Sequence, residues 1–281
     1  LRYLAETVTM VGKNHKGVRL WDIMVEHLVH SCFDKKWKNK VGSAIGLKAM
    51  CEMLPAEWIC KHDVEIFKGI MSMLQNQPFE YQAHVISHAQ ETLNYIMKKR
   101  PIERLKNVPT EKRANNNDTQ NGSGKKDEDN EVTAPGTDDA DEDENNGVLE
   151  LLKKHDMHLY TIVSFLSVEL TKPFKASRNA AQMYLKKISD KVGLSILRLL
   201  KPFREKLRTY VLSRSLRSVM GLEQIARINT AIYLLSLPTG PLFKVDKQVT
   251  HFLIQSIELS LREKNLPAYL PINIDAGSFA A

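Results

Sequence analysis

LVHSCFDKKWKNKVGSAIGLKAMCEMLPAEWICKH, residues 28–62, is the stretch whose reading decides the fold. Leu28, Val29 and Cys32 close an apolar stripe spaced at three and four residues, the pattern of a helix buried along one side. A short basic turn follows, and then a second stripe of Trp37, Val41, Ala44, Ile45 and Leu54. Pro55 stops that second helix, since proline offers no N–H and forces the residue before it into extended backbone. A third helix begins at once. This alternation of helix and tight turn is the grammar of stacked helical hairpins.

Outward from this stretch the pattern repeats. Upstream, Trp21, Met24 and Val25 extend the first stripe. Gly42 and Gly46 lie four apart on the second helix, where a neighbouring helix could approach closely. The third helix presents Ile59, Val64, Phe67, Ile70, Met71 and Leu74 and ends before Gln77-Pro78. The fourth presents Tyr81, Val85, Ala89, Leu93 and Ile96 and ends near Arg100-Pro101. Residues 1–105 therefore read as one block of hairpins.

From 106 to 147 scarcely an apolar residue occurs. Asn115-Asn116-Asn117 and Gly122-Ser123-Gly124 precede ten acids between 127 and 146, with no base among them. Such a segment buries too little to offset the entropy of ordering, so the reading is a disordered acidic insertion looping from one edge of a solenoid.

Helical periodicity resumes over 148–281. A short helix over 148–154 precedes a stripe of Ile162, Val163, Phe165, Leu166 and Leu170, halted by Pro173. Ala176, Ala180, Ala181, Tyr184, Leu185 and Ile188 form the next, ending at Val192-Gly193. Ile196, Leu197, Leu200, Phe203 and Leu207 form another, with Pro202 as a kink, and two more helices cover 221–237 and 243–262. Nowhere does apolar and polar alternate with period two. The fold class is thus all-α, an α-solenoid of HEAT-like hairpins with a pair period of roughly 40 residues.

Composition narrows the function classes. The 281 residues are 43% hydrophobic, enough for a real core, and no apolar run reaches the length of a membrane span. Neither a signal nor a transit peptide opens the chain, and starting at Leu1 it reads as part of a longer protein. Cys32, Cys51 and Cys60 lie inside helical patterns and fit free thiols in a reducing compartment better than a disulfide framework.

Catalytic chemistry finds no foothold. His84 and His88 could share a metal, but HVISH lacks the glutamate of a zinc hydrolase and has no third ligand nearby. His27 and His30 lie near Cys32, and Cys60 near His62, but Cys32 belongs to the apolar stripe and no CxxC partner exists. Phosphate-loop, nucleophile-elbow and kinase signatures are all missing. The expectation is no enzyme, no cofactor and no metal.

One constellation carries functional content. The net charge of +7 hides thirteen Lys/Arg against two acids between residues 171 and 217. Lys186, Lys187, Lys191, Arg198, Lys201, Arg204, Lys206 and Arg208 recur at helical spacing and could form an exposed basic ridge. Plain solvation of helix faces is the first reading of such a ridge. An acidic protein partner is the second, and weak, nonspecific nucleic-acid binding the third. Aromatics around it are too sparse for base stacking.

Residues 28–62 also carry a resemblance. Leu28, Val29, Cys32, Asp34, Trp37, Lys40, Gly42, Gly46, Leu54, Pro55 and Trp58 are similar to a run in the transcription-associated scaffold family known in animals as TRRAP. Beyond the insertion, QIARINTAIYLLSLPTGPLF over 224–243 resembles the same family, with its apolar helix followed by Leu, Pro and Phe. Val41 departs from the pattern, standing where the family has a second glycine. The family is a branch of the kinase-related superfamily whose kinase-like domain has lost its catalytic residues, and that domain and the helical FAT region lie outside these residues. The resemblance implies a nuclear, non-catalytic segment of a shared subunit of histone acetyltransferase coactivator complexes of the SAGA or NuA4 type. Its expected partners are acidic transcriptional activators and coactivator complex subunits. The residues taken alone leave a generic HEAT adaptor open, such as a transport receptor or phosphatase scaffold binding peptides or proteins.

Overall fold

The computed structural model describes residues 20–75, 82–102, 153–154 and 156–263. Ten α-helices occur among them: α1 (Leu20–Ser31), α2 (Trp37–Met53), α3 (Ala56–Met73), α4 (Gln82–Lys99), α5 (Met157–Glu169), α6 (Lys175–Val192), α7 (Ile196–Leu200), α8 (Arg204–Leu212), α9 (Gly221–Leu235) and α10 (Lys247–Glu263). Two 3-10 turns, Lys201–Phe203 and Leu216–Ser218, complete the set, and no strand is present among the described residues. The expected insertion at 106–147 and most of the short helix at 148–154 lie outside the described residues, as does Tyr81.

Alternate helices stack on one another. α1 packs on α3, α3 on α5 and α5 on α7, while α2 packs on α4 and α4 on α6. Within a hairpin, α1 meets α2, α3 meets α4 and α5 meets α6. That is a two-layer helical stack, each hairpin burying its apolar faces against the next. Ladder-like hydrogen bonds record the repeat length. Asp22 meets His62 across 40 positions, Ser72 meets Cys32 across 40, Tyr210 meets Thr171 across 39 and Ser215 meets Gln255 across 40. Where the insertion intervenes, the separation rises to 94, as in Gln75–Glu169 and Tyr184–Gln90.

Local chemistry sets the helix ends. Leu54 is extended (ψ 154°) ahead of Pro55, so α2 stops at Met53. Gly193 closes α6 with a φ of 78°, a left-handed conformation that costs glycine nothing. Asp156 caps α5 by accepting the Leu159 N–H at 2.9 Å. Pro202 breaks the next helix into α7, a 3-10 turn and α8, yet Leu200, Phe203 and Leu207 stay buried through the break. One core of interlocking stripes runs through the stack from Val25 to Val249, with a satellite around Leu216 and Phe252.

The stripes fall where their spacing puts them, with two exceptions. Ile45 and Met24 belong to apolar patterns but are exposed, since each lies at the edge of its stripe, away from the packed neighbour. Gly46 does admit a close approach, because a Cβ there would lie 3.0 Å from two Leu28 methyls. Gly42 admits none, with nothing within 4 Å.

Candidate functional site

The basic positions at 186–208 are distributed over four elements. Lys186, Lys187 and Lys191 lie on α6, Arg198 on α7, Lys201 in the 3-10 turn, and Arg204, Lys206 and Arg208 on α8. Several turn to structural use. Lys187 donates to the Asn94 side chain and rides over the Tyr184 ring at 5.0 Å. Lys191 donates to the Met97 carbonyl in the last turn of α4, where the helix dipole favours a cation. Arg208 pairs with Asp246 and donates to Gln248 at 3.1 Å, joining α8 to the start of α10. Arg204 meets Glu205 at 3.2 Å. Lys186 and Lys206 are exposed, whereas Arg198 and Lys201 are half-buried.

Polar nodes unnoticed in the periodicity tie the layers together. Asp63 is fully buried and forms an ion pair with Arg100, whose guanidinium also reaches both oxygens of Asp156 at 2.5 and 2.6 Å. His158 adds a contact to Asp63 at 3.0 Å. A second node gathers Trp58, Lys61 and His62 of α3 on the Asp22 carboxylate of α1 at 3.2, 2.7 and 2.9 Å. Burial pushes the Asp22 pKa up, but the hydrogen bonds and charges of Lys61 and His62 outweigh it and hold it below the ordinary aspartate value. In a third, buried Glu169 accepts from Gln75 and Ser177. One signal for such nodes was visible: Asp63 stands four residues from both Ile59 and Phe67, a carboxylate set in the middle of an apolar stripe.

The residues that looked most like chemistry are dispersed. His84 is exposed and His88 half-buried. Among the described residues no group of three metal-ligating side chains occurs. His27 and His30 face outward, while Cys32 is buried and donates its thiol to the Leu28 carbonyl at 3.3 Å. Burial raises the thiol pKa of Cys32 and of Cys51 to about 12, so both stay protonated and unreactive. An open depression of about 660 Å³ at the start of α10 is lined by Val245, Asp246, Lys247, Thr250, His251 and Ile254. Polar groups along it are engaged in the helix start: Asp246 pairs with Arg208 and accepts the Gln248 and Val249 N–H groups, the Thr250 hydroxyl donates to the Asp246 carbonyl, and the His251 ring meets the Gln255 amide at 2.9 Å. No described helix is long and apolar enough to cross a membrane.

What the arrangement offers is surface. Residues 1–265 match the family model described as the Tra1 HEAT repeat ring region. The chain belongs to this family. It is also similar to the transformation/transcription domain-associated proteins of Danio rerio and Homo sapiens, each 23% identical over 78 residues. Those 78 residues are 28% of the chain and 2% of either relative, so the likeness covers a small part of very long proteins. The match is to a helical repeat region and agrees with a stack whose polar interior groups join helices to one another.

Proposed function

We propose that this chain is a non-catalytic scaffold segment of a nuclear subunit of histone acetyltransferase coactivator complexes, offering surfaces to acidic transcriptional activators and to other complex subunits. The observation that carries the reading is the family match over residues 1–265, on a fold of stacked hairpins. The printed name of the relatives, transformation/transcription domain-associated protein, supports a role in transcription. Stacked hairpins present long surfaces formed by successive turns and outer faces, which suits them to binding other proteins. On this reading the exposed cations of α6 and α8 attract acidic activation segments and speed their encounter.

Because Lys187, Lys191 and Arg208 have structural duties, the test leaves them intact. Reversing Lys186, Arg204 and Lys206 to glutamate weakens binding of a labelled acidic activation peptide by about tenfold at low salt, in line with the steering role of rim charges. Circular dichroism stays unchanged. Binding that persists at full strength makes these cations a solvated face and sinks the assignment of the acceptor surface.

A further inference from the structure

The turn between α1 and α2 presents a cluster that the scaffold reading does not use. Its sequence is Phe33-Asp34-Lys35-Lys36-Trp37-Lys38-Asn39-Lys40. Phe33 is 57% exposed, a large apolar ring facing solvent, and Lys35, Lys36 and Lys38, two to five positions further along the same stretch, are exposed as well. None of these three lysines forms an ion pair among the described residues. Lys40 sits over the Trp37 ring, 4.7 Å from its centroid, which holds a fourth ammonium beside the turn.

The turn is braced. Asp34, its only acid, accepts the Lys36 N–H at 3.0 Å and the Asn39 side-chain amide at 2.6 Å. Its carboxylate is committed to the turn's own backbone and side chains. Behind it, Cys32 offers its carbonyl to Ser72 at 3.3 Å, and the Cys32 thiol lies 3.4 Å from where a Cβ on Gly69 would stand. The cations and the ring thus project from a base anchored on α3.

We propose that the α1–α2 turn binds single-stranded nucleic acid. A single strand supplies both complements of the turn, phosphates for the three lysines and an unstacked base for Phe33. A duplex keeps its bases stacked, so a projecting ring reaches one only by prying a base step apart, which costs the energy of unstacking. An acidic peptide such as poly-glutamate, with no apolar side chain of its own, would satisfy the lysines and leave Phe33 unused. Trp37 is half-buried with its ring partly covered by Lys40, so the site takes one stacked base, and binding is weak and independent of sequence.

The test uses the full chain and fluorescence anisotropy with a labelled fifteen-nucleotide oligothymidylate, the matching fifteen-base-pair duplex and a labelled poly-glutamate peptide. Oligothymidylate is expected to bind more tightly than the other two. Lys35→Glu, Lys36→Glu and Lys38→Glu together reduce that affinity at least tenfold and make the slope of log K against log salt about 2 units shallower, since three phosphate contacts contribute about −0.7 each on a single strand. Phe33→Ala weakens oligothymidylate binding by about tenfold, the loss of one base stack, and leaves duplex binding unchanged. Phe33→Trp restores it. The four positions are exposed, so helicity and melting temperature serve as folding controls. An unchanged salt slope in the triple variant overturns the proposal, as does an inert Phe33→Ala or poly-glutamate binding as tightly as the oligonucleotide.

Discussion

Glu169 shows at the scale of one residue how this interior manages charge. It is 2% exposed and surrounded by neutral donors, with both oxygens accepting from Gln75 at 3.2 and 3.1 Å and one also from Ser177. Burial raises its pKa above the ordinary glutamate value, and the hydrogen bonds from Ser177 and Gln75, together with the nearby charge of Lys172, offset only part of that rise. The folded state therefore binds this proton more tightly than the unfolded chain does. Its contribution to stability is complete below the unfolded pKa and is lost as pH rises through the folded one. Glu169→Gln keeps an oxygen acceptor and removes the titration. Thermal melts across pH 4 to 8 should show the variant losing less stability with rising pH than the parent, and melting a few degrees higher at pH 8. Equal pH slopes in the two proteins would remove Glu169 from the account. Sequence periodicity placed Leu166 and Leu170 in the core correctly, but it could not show that Glu169 lies there too. That depends on Ser177, which follows the Pro173 turn, and on Gln75 from a different hairpin.

Elements meet through their smallest residues. α1 crosses α2 at Gly46, where an added Cβ would stand 3.0 Å from Leu28 Cδ1 and Cδ2, whereas Gly42 opens onto empty space. Alanine is preferred over glycine in a helix interior by about 1 kcal/mol. Gly42→Ala should therefore raise stability by about 0.5–1 kcal/mol. At Gly46 the same gain is opposed by displacement of Leu28, and overpacking of this kind costs about 1–3 kcal/mol. The expected outcome in urea unfolding is a higher midpoint for Gly42→Ala and an unchanged or lower one for Gly46→Ala. Two equal increases would mean that Leu28 yields freely. The glycine pair was legible as a pair. Its asymmetry was not, because helical spacing gives the angle of a residue around its axis but not the position of the neighbouring helix. A comparable case is Arg227, 1% exposed, whose Nε donates to the Val211 carbonyl at 3.0 Å and so caps the end of α8. In sequence it looks like one more surface cation.

Across the whole molecule, the Arg100 node joins the two ends of the chain segment that contains the insertion. Arg100, just past α4, pairs with Asp63 on the central helix α3 and also with Asp156, which caps α5, while His158 of α5 reaches Asp63 directly. The stack thereby continues from α4 to α6 and from α3 to α5. Removing one member of a buried charge pair costs about 3–5 kcal/mol, because the other is left uncompensated. Arg100→Ala should show that loss in chemical denaturation. The double variant Arg100→Met, Asp63→Leu should recover most of it, since a packed apolar pair needs no counter-charge. A double variant as unstable as the single one would mean that packing, and not charge, fails at this node.

The repeating stripes, the proline and glycine stops and the pair period of about 40 were determined by the sequence itself, because a helix carries its own hydrogen bonds and declares its buried face locally. The tertiary structure decided which cations serve the interior and which reach solvent. Lys187 and Lys191 bond to α4 and Arg208 to α10, while Lys35, Lys36 and Lys38 stand outward. A charge shows its sign in the sequence, but its partner is supplied by a helix some 40 positions or more away, and only stacking brings the two together.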